Sequence, residues 1–431
     1  MFDTIIVGGG ITGLQLGALL SHDGEKVLIL EKGSRTGGRA VVQKRKGFIV
    51  DYGVHLIRFG PQSAISKTCR QLGHEIEYAS LGTSWVMDAD GKTKVFPTGP
   101  RAFLTTRLFS IGEKFRIIRM MGKIRNDDHT HLLDKSVKEW MDENDISGGL
   151  RRYFHMVSAS IMVCPFIEKA SAGEMLINMQ KVLQTGISVM YPKGGWKPIM
   201  ELLQNKVKER GEIRLKSTVE KIKVKDGKAV GVFVDGKLHE ARKVVISIPS
   251  HQLSKLLPGR VDDDYIQKCK NNRPTAGIVL DYGLKHSISN IDGLCYLYNP
   301  MSFGFFTSNV EPSLAPEGKQ LFTWLQPLPE NKIKDRPWAK KREAELEKAL
   351  FKFFPKLEKA IEWRRILFLP VVDGTEVNIE QTEDKRPSAM VPGVGNLYLV
   401  GDSVAAPGAG GDVGHESVHV TYEAIRNGHR D

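Results

Sequence analysis

Three glycines near the start of the chain have the spacing of a phosphate-binding turn. Gly8, Gly10 and Gly13 form the pattern G-x-G-x-x-G within the stretch IIVGGGITG. The first glycine would make a tight turn, the second would admit a pyrophosphate against the backbone, and the third would let the next helix pack closely. The free N–H groups at the start of that helix, at Ile11 and Thr12, would then face the phosphates.

The segments around these glycines must hold them in place. Residues 4–7 are an apolar, β-prone run that is typical of a strand buried on both faces of a parallel sheet. Residues 11–20 carry apolar side chains at helical spacing, and residues 26–30 predict a second strand. That strand leads to Glu31 and Lys32, where a dinucleotide site needs a carboxylate for the ribose hydroxyls. The alternative is a glycine turn followed by a surface glutamate.

The residues after Glu31 distinguish a flavin-binding site from a nicotinamide-binding one. The segment EKGSRTGGRA resembles the E-x-x-x-x-x-GGR segment of the FAD-dependent amine oxidase and phytoene desaturase superfamily, with Gly37, Gly38 and Arg39 as the GGR triplet. The stretch GFIVDYGVHLIRFG resembles the G-F-x-x-D-x-G-x-H segment of the same superfamily, in which His55 is the histidine. In the family this part of the chain returns toward the isoalloxazine ring.

Two distant blocks resemble the same superfamily. The block from YPKGGW to GVFV predicts an amphipathic helix and a hairpin, and the resemblance implies that the backbone of Val219 brackets the adenine. In the C-terminal block NLYLVGDSVAAPGAGGDVGHES, Gly401 and Asp402 follow a predicted strand, and Asp402 would hydrogen-bond the ribityl or phosphate portion. The N–H groups near Asp412 and Val413 would face flavin N1 and O2, where negative charge develops on reduction.

This resemblance implies an α/β fold with an α+β substrate region. The expected architecture is a Rossmann-like FAD-binding domain of the glutathione reductase or amine oxidase type, with an inserted substrate domain. The FAD-binding domain is predicted to be discontinuous, over residues 1–65, 190–250 and 385–431. Residues 66–189 are expected to be mainly helical and to form a substrate or membrane-contact region. Residues 251–384 are expected to add an antiparallel sheet and a helix over about 338–354.

The implied function is that of an FAD-dependent oxidoreductase in which flavin N5 exchanges a hydride with the substrate. The sequence looks most like the phytoene desaturase-related branch, which implies a large apolar substrate such as an isoprenoid or polyene. The turn PGAGGDVGHES departs from the PGGG type of that branch. Protoporphyrinogen oxidase-like, amine oxidase and C=C reductase activities stay open, as does a non-catalytic flavin-binding protein. The electron acceptor, whether oxygen, a quinone or NAD(P), is left open, as is the oligomeric state.

Catalytic residues are not fixed by this pattern. His55 and His415 are the candidates because both fall in flavin-associated segments. His129 and His131 lack further ligands at matching spacing, so no metal site is predicted. The four cysteines are far apart and suggest neither a zinc site nor a disulfide framework. No nucleic-acid recognition motif is present.

The formal charge of +12 is partly concentrated between residues 101 and 125. Apolar residues recur there at helical spacing. The basic residues are Arg101, Arg107, Lys114, Arg116, Arg119, Lys123 and Arg125. Such a stretch is typical of a helix at an anionic membrane surface, but it also fits a helix that packs its apolar face on the core, or a contact with an anionic substrate or partner. The predicted location is cytoplasmic, with peripheral attachment to the inner face of the membrane as the membrane-contact alternative.

Overall fold

The computed structural model describes residues 1–259 and 261–427 of the chain. Residues 260 and 428–431, which fall within two of the predicted domain segments, lie outside the described residues. The strands are β1 Phe2–Val7, β2 Val27–Leu30, β3 Gln43–Arg45, β4 Phe48–Val50, β5 Ile57–Arg58, β6 Tyr78–Ser80, β7 Trp85–Met87, β8 Thr93–Val95, β9 Val189–Pro192, β10 Glu212–Arg214, β11 Val219–Lys225, β12 Lys228–Val234, β13 Lys237–Ile246, β14 Ala276–Leu284, β15 Cys295–Leu297, β16 Ser302–Phe305, β17 Gln320–Leu328, β18 Ile361–Leu369 and β19 Leu397–Leu399.

The α-helices alternate with these strands and are concentrated between residues 100 and 185. Their bounds are α1 Ile11–His22, α2 Ala64–Gln71, α3 Pro100–Thr105, α4 Ile111–Asn126, α5 Val137–Glu143, α6 Gly148–Ile161, α7 Ala172–Thr185, α8 Lys197–Lys208, α9 Leu253–Leu256, α10 Asp263–Asn271, α11 Thr307–Val310, α12 Glu330–Ile333, α13 Arg336–Phe353, α14 Leu357–Ala360 and α15 Gly411–Asn427. None of the helices in the described part of the chain is both long and apolar enough to cross a membrane.

One seven-stranded sheet, here called sheet A, has the order β10-β2-β1-β13-β12-β11, with β19 also paired to β13. The pairs among β10, β2, β1, β13 and β19 are parallel, whereas β11, β12 and β13 form an antiparallel meander. Alternate residues of β1 enter two different hydrophobic clusters, with Ile6 in one and Ile5 and Val7 in the other. Burial on both faces explains why β1 and β2 read as continuous apolar runs.

A second seven-stranded sheet, sheet B, has the order β18-β14-β17-β16-β15-β7-β8. Strands β14 and β17 pair antiparallel along their whole lengths, as the sequence predicts. One face of sheet B packs on α13 through Leu346 and Leu350, and the opposite face belongs to a cluster that contains residues of α6 and α7. Strands β7 and β8 come from the segment that is predicted to be mainly helical, so this segment also completes sheet B.

Turns and caps set the ends of several elements. Residues Asp226 and Gly227 form the turn between β11 and β12, and both have positive φ. Ser136 and Glu139 form a capping box at the start of α5. Helix α13 corresponds to the predicted helix and begins two residues earlier, after the N-cap Asp335. The boundaries of the three-part FAD-binding domain stay a prediction, although sheet A does draw strands from all three stretches.

The basic stretch 101–125 does not form one helix, because it breaks into α3 and α4 at residues 106–110. Ser110 and Glu113 form a capping box that starts the second helix. The alternative in which this stretch packs its apolar face on the core is wrong for several of its apolar residues, because they are exposed. Helix α4 buries Ile117 and Ile124, whereas Ile111 and Phe115 are 76% and 74% exposed.

Candidate functional site

A cavity of about 510 Å³ is lined by residues of sheet B and by residues that directly follow strands of sheet A, and it collects most of the residues that the sequence singles out. They come from the turn after β1, the residues after β2, the segment 38–58, the residues after β19 and the start of α15. The predicted residues in its wall are Gly8, Gly10, Ile11, Thr12, Glu31, Lys32, Gly38, Arg39, His55, Gly401, Asp402, Asp412 and His415. We call the part formed by residues 8–12 and 31–32 the nucleotide end.

The glycine turn has the geometry that a phosphate-binding loop requires. Gly8 has φ of +108°, which side chains rarely tolerate. A Cβ at Gly10 would meet no protein atom within 4 Å, so the backbone there is open to the cavity. Gly10 is also the N-cap of α1. Because it has no side chain to cap the helix, the first N–H groups of α1 are available to an anion.

Glu31 is held beside this turn. Its Oε2 accepts a hydrogen bond from the N–H of Gly9 at 2.7 Å, and its Oε1 accepts one from the N–H of Gly33 at 2.6 Å. These bonds fix the carboxylate at the end of β2 while each oxygen keeps further acceptor capacity. The arrangement suits two vicinal ribose hydroxyls.

Three predicted residues do not line the cavity. Gly13 packs against the turn, since a Cβ there would lie 2.4 Å from the carbonyl oxygen of Gly8. Val219 begins β11 and pairs with Val234, and Val413 is buried in the first turn of α15. The backbone contacts predicted for Val219 with the adenine and for Val413 with the flavin stay predictions.

Arg39 and Asp402 join the GGR segment to the C-terminal block. The Nη1 and Nη2 atoms of Arg39 donate to the two carboxylate oxygens of Asp402 at 2.6 and 2.8 Å, and the N–H of Gly374 donates to the same carboxylate at 2.6 Å. Burial acts to raise the pKa of Asp402, but the Arg39 charge and these bonds outweigh it and hold that pKa below its ordinary value. Asp402 is therefore ionised and fixed by the chain itself.

Both candidate histidines contact the ring of Trp196. The His415 ring is stacked on Trp196 with centroids 5.9 Å apart, and the His55 ring meets it edge-on at 6.0 Å. Burial lowers the pKa of both histidines to about 4, and the charge of Arg39 adds to this at His55. Both imidazoles are thus neutral at physiological pH. His415 Nδ1 lies 2.8 Å from Gln15 Oε1, within hydrogen-bond distance.

Several buried polar atoms in the cavity wall have no hydrogen-bond partner within the described residues. These atoms are His55 Nδ1, Arg58 Nε and Nη2, Asp373 Oδ2 and Asp412 Oδ2. Buried polar groups in folded proteins are normally paired, so a cluster of orphans indicates that a polar ligand completes the site. The orphans, the open backbone at Gly10 and the fixed carboxylate of Glu31 together fit FAD.

Much of the remaining cavity lining is apolar. The side chains in it belong to one hydrophobic cluster or pack against it, and the pairing of β14 with β17 and of β16 with β17 places Val279, Phe303 and Leu325 side by side. We define the apolar wall as Val54, Leu56, Ile161, Val163, Val189, Val279, Leu294, Tyr296, Phe303, Leu325 and Leu369.

Sequence reasoning missed the apolar wall and several polar or aromatic residues of the site, among them Arg58, Trp196, Ser247 and Asp373. Arg58 ends the segment DYGVHLIR and Trp196 ends the segment YPKGGW. Both segments resemble family motifs, so the sequence does carry a signal for these two residues. Ser247 directly follows β13, the parallel partner of β1, so its place beside the glycine turn depends on sheet order. Asp373 precedes a glycine in VVDGTE and has the sequence appearance of an ordinary turn residue.

Comparison with known proteins agrees with this geometry. The model of the family of flavin-containing amine oxidoreductases matches residues 11–414. The chain is 24% identical to a zeta-carotene-forming phytoene desaturase of Myxococcus xanthus, over 94% of this chain and 90% of that protein. It is 26% identical to (S)-6-hydroxynicotine oxidase of Paenarthrobacter nicotinovorans, over 60% of this chain and 62% of that protein.

The fold also has close counterparts among solved structures. An oxidoreductase from Methanosarcina mazei superimposes with a TM-score of 0.85 at 19% identity, over 98% of this chain and 100% of that one. The observed sheets and the match to the flavin-containing family confirm the predicted α/β class with a Rossmann-like FAD-binding domain. Because the family model spans nearly the whole chain, the protein belongs to the flavin-containing amine oxidoreductase family and is an FAD-dependent oxidoreductase.

Proposed function

We propose that this enzyme transfers a hydride between bound flavin and a large apolar substrate of the isoprenoid or polyene type, and so introduces or saturates a C–C double bond. The apolar wall is the observation that carries this proposal. Bound FAD supplies the hydride chemistry at N5. The full-length match to a phytoene desaturase supports the same substrate class.

The wall supplies both affinity and selectivity. Each CH₂ group that leaves water for an apolar surface contributes about 0.8 kcal/mol, so a long hydrocarbon gains affinity along the whole wall. A charged substrate group would lose its hydration there without a partner, because the wall residues carry no carboxylate or ammonium. The neutral imidazoles of His55 and His415 add no charge beside it.

Amine oxidation is the competing function. The partial match to (S)-6-hydroxynicotine oxidase favours it, and an ammonium group would find acceptors at Asp373 and Asp412 in the cavity. Those carboxylates lie outside the apolar wall, so an amine substrate would use only part of the cavity.

The compound that the protein retains distinguishes these functions. We would purify the FAD-containing protein without detergent, extract it with organic solvent and identify bound small molecules by mass spectrometry. The expected result is an isoprenoid or polyene hydrocarbon, or an oxygenated derivative of one. A stoichiometric amine or tetrapyrrole would overturn the proposal in favour of the amine oxidase or protoporphyrinogen oxidase alternative.

We further propose that the enzyme meets this substrate at an anionic bilayer through a surface patch on α3 and α4. This α3–α4 patch consists of the exposed apolar residues Leu104, Ile111, Phe115 and Ile118 and the basic residues Arg107, Lys114, Arg119 and Lys123. Residues 111, 115 and 118 form one stripe along α4, separate from the buried Ile117 and Ile124. No ion pair within the described chain engages the basic residues Arg107, Lys114, Arg119 and Lys123. Each cation near an anionic surface contributes about 1 kcal/mol to binding.

Flotation with vesicles tests this contact. Wild-type protein should float with anionic vesicles at low salt, but not with neutral vesicles or at high salt. Changing Arg107, Lys114, Arg119 and Lys123 to Gln should abolish flotation. Arg116 is kept because it donates to the backbone carbonyls of residues 144 and 145. Leu238→Ser removes an exposed leucine elsewhere and serves as the control. Equal flotation of wild type and the quadruple variant, or none by either, would refute the contact.

A further inference from the structure

Asp412 is a buried carboxylate in the wall of the cavity. It lies in the first turn of α15, the helix that begins at Gly411, and its Oδ2 has no hydrogen-bond partner in the described part of the chain. The resemblance that identified the FAD motifs concerns the N–H groups near this residue and gives its side chain no role. The resemblance therefore assigns no function to this carboxylate.

Two charged residues connect Asp412 to the surface. Lys181 of α7 places its Nζ 4.0 Å from Asp412 Oδ2 and 3.0 Å from Glu416 Oε1. The exposed fraction of the side chain rises from 3% at Asp412 to 24% at Glu416 and 34% at Lys181. Glu416 lies one helical turn after Asp412, so the three groups form a continuous series from the cavity to solvent.

Arg58, at the end of β5, is the other positive charge that affects the pKa of Asp412, and Asp373 in turn affects the pKa of Arg58. Burial raises the pKa of Asp412 to about 6 against the charges of Arg58 and Lys181, while the Glu416 carboxylate adds to the rise. Asp412 is thus mainly ionised at neutral pH when no further negative charge is nearby.

We propose that Asp412 takes up a proton when bound FAD is reduced and releases it on reoxidation, with Lys181 and Glu416 as its connection to solvent. Bound FAD would take up two electrons and one proton on two-electron reduction. For the second proton, Lys181 would donate to the Asp412 carboxylate and regain a proton from water by way of Glu416, so that Asp412 would be neutral while the flavin carries its added negative charge. The proposal rests on FAD binding and not on the class of substrate.

Asp373 provides the matched comparison. It also lines the cavity, has an unpartnered Oδ2 and has its pKa raised to about 7 by burial and the Asp402 charge. Its charged neighbours, however, are the Arg39–Asp402 pair and Arg58. Arginine keeps its proton at neutral pH and, within the described residues, no lysine is among the groups that affect Asp373, so Asp373 lacks the connection to solvent that Lys181 and Glu416 give Asp412.

The pH dependence of the flavin midpoint potential tests the proposal. FAD-containing protein would be titrated with dithionite and redox mediators between pH 6.5 and 8.5. A two-electron couple shifts by about 30 mV per pH unit for each proton taken up, so we expect a slope of about 59 mV per pH unit for wild type and about 30 mV for Asp412→Asn. Asp373→Asn should keep the wild-type slope.

Three results would overturn the proposal. The first is a wild-type slope of 30 mV per pH unit, a result that needs no variant and so does not depend on the folding of one. The second is an unchanged slope in Asp412→Asn protein that retains its FAD. The third is loss of the larger slope in Asp373→Asn, which would assign the proton to that residue instead. None of these results bears on whether the substrate is apolar.

Discussion

The two ends of the cavity are built in different ways. The nucleotide end is formed mostly by backbone atoms of a few short segments, such as the turn from Gly8 to Gly10 and the N–H groups that hold Glu31. At the apolar wall, side chains from β14, β16 and β17 meet residues 161–163 and 189 only after the chain has folded. The first end depends on local spacing and the second on packing.

This difference predicts different sensitivities to mutation. A side chain added at the nucleotide end collides with backbone or occupies the space that the cofactor needs, so single atoms matter. A side chain shortened in the apolar wall changes volume and contact area, and it should alter substrate binding while FAD stays in place. The experiments below separate the two ends.

The largest effect is expected at Gly13. A Cβ there would lie 2.4 Å from the Gly8 carbonyl oxygen, so Gly13→Val must push α1 away from the turn. We expect complete loss of FAD during purification and a lower unfolding temperature, measured by flavin absorbance and thermal denaturation. Gly112→Ala, at an exposed helical position where a Cβ meets no atom within 4 Å, is the control and should leave both quantities unchanged.

Gly10→Ala makes a sharper test of the same turn. The new Cβ would contact no protein atom, so the apoprotein should keep its stability while its affinity for FAD falls. Isothermal titration of the apoprotein with FAD measures that affinity. Unchanged affinity would show that no phosphate approaches the backbone at this residue.

An intermediate effect is expected at Glu31. Glu31→Gln removes the charge from hydrogen bonds to the ribose that are worth about 1.5–3 kcal/mol, which corresponds to about a 10- to 150-fold increase in the Kd for FAD. Glu212→Gln, on the neighbouring strand β10 and exposed, should leave the Kd unchanged. Equal Kd values for wild type and Glu31→Gln would mean that Glu31 serves only to hold Gly9 and Gly33.

The smallest effect on FAD is expected at the apolar wall. Leu325 and Leu321 are both buried in β17 and share one cluster, but only Leu325 lines the cavity. Truncation to Ala should cost about 2–5 kcal/mol of unfolding free energy at Leu321, and less at Leu325, which already borders open space. Both variants should retain FAD, and only Leu325→Ala should raise the KM for substrate. A matching rise in Leu321→Ala would indicate a general loss of structure.

The sequence predicts the nucleotide end well because its determinants are local. Gly8, Gly10 and Glu31 lie within one strand-turn-helix-strand unit, and the spacing of that unit sets their positions. The sequence does not predict the apolar wall, because Val279 and Leu325 read as ordinary core residues until strand pairing places them together. The sequence also does not predict the break between α3 and α4. The helical spacing of apolar residues continues across residues 106–110, but the capping box at Ser110 starts a new helix.

The most direct test of the central claim is the flavin spectrum after anaerobic mixing with each substrate class. Oxidised protein would be mixed with phytoene in anionic vesicles, and dithionite-reduced protein with a conjugated polyene, without excess reductant. We expect the flavin absorbance near 450 nm to fall in the first mixture or to recover in the second. No change in either mixture, together with bleaching by a primary amine or by protoporphyrinogen, would contradict the assignment of an apolar isoprenoid or polyene substrate.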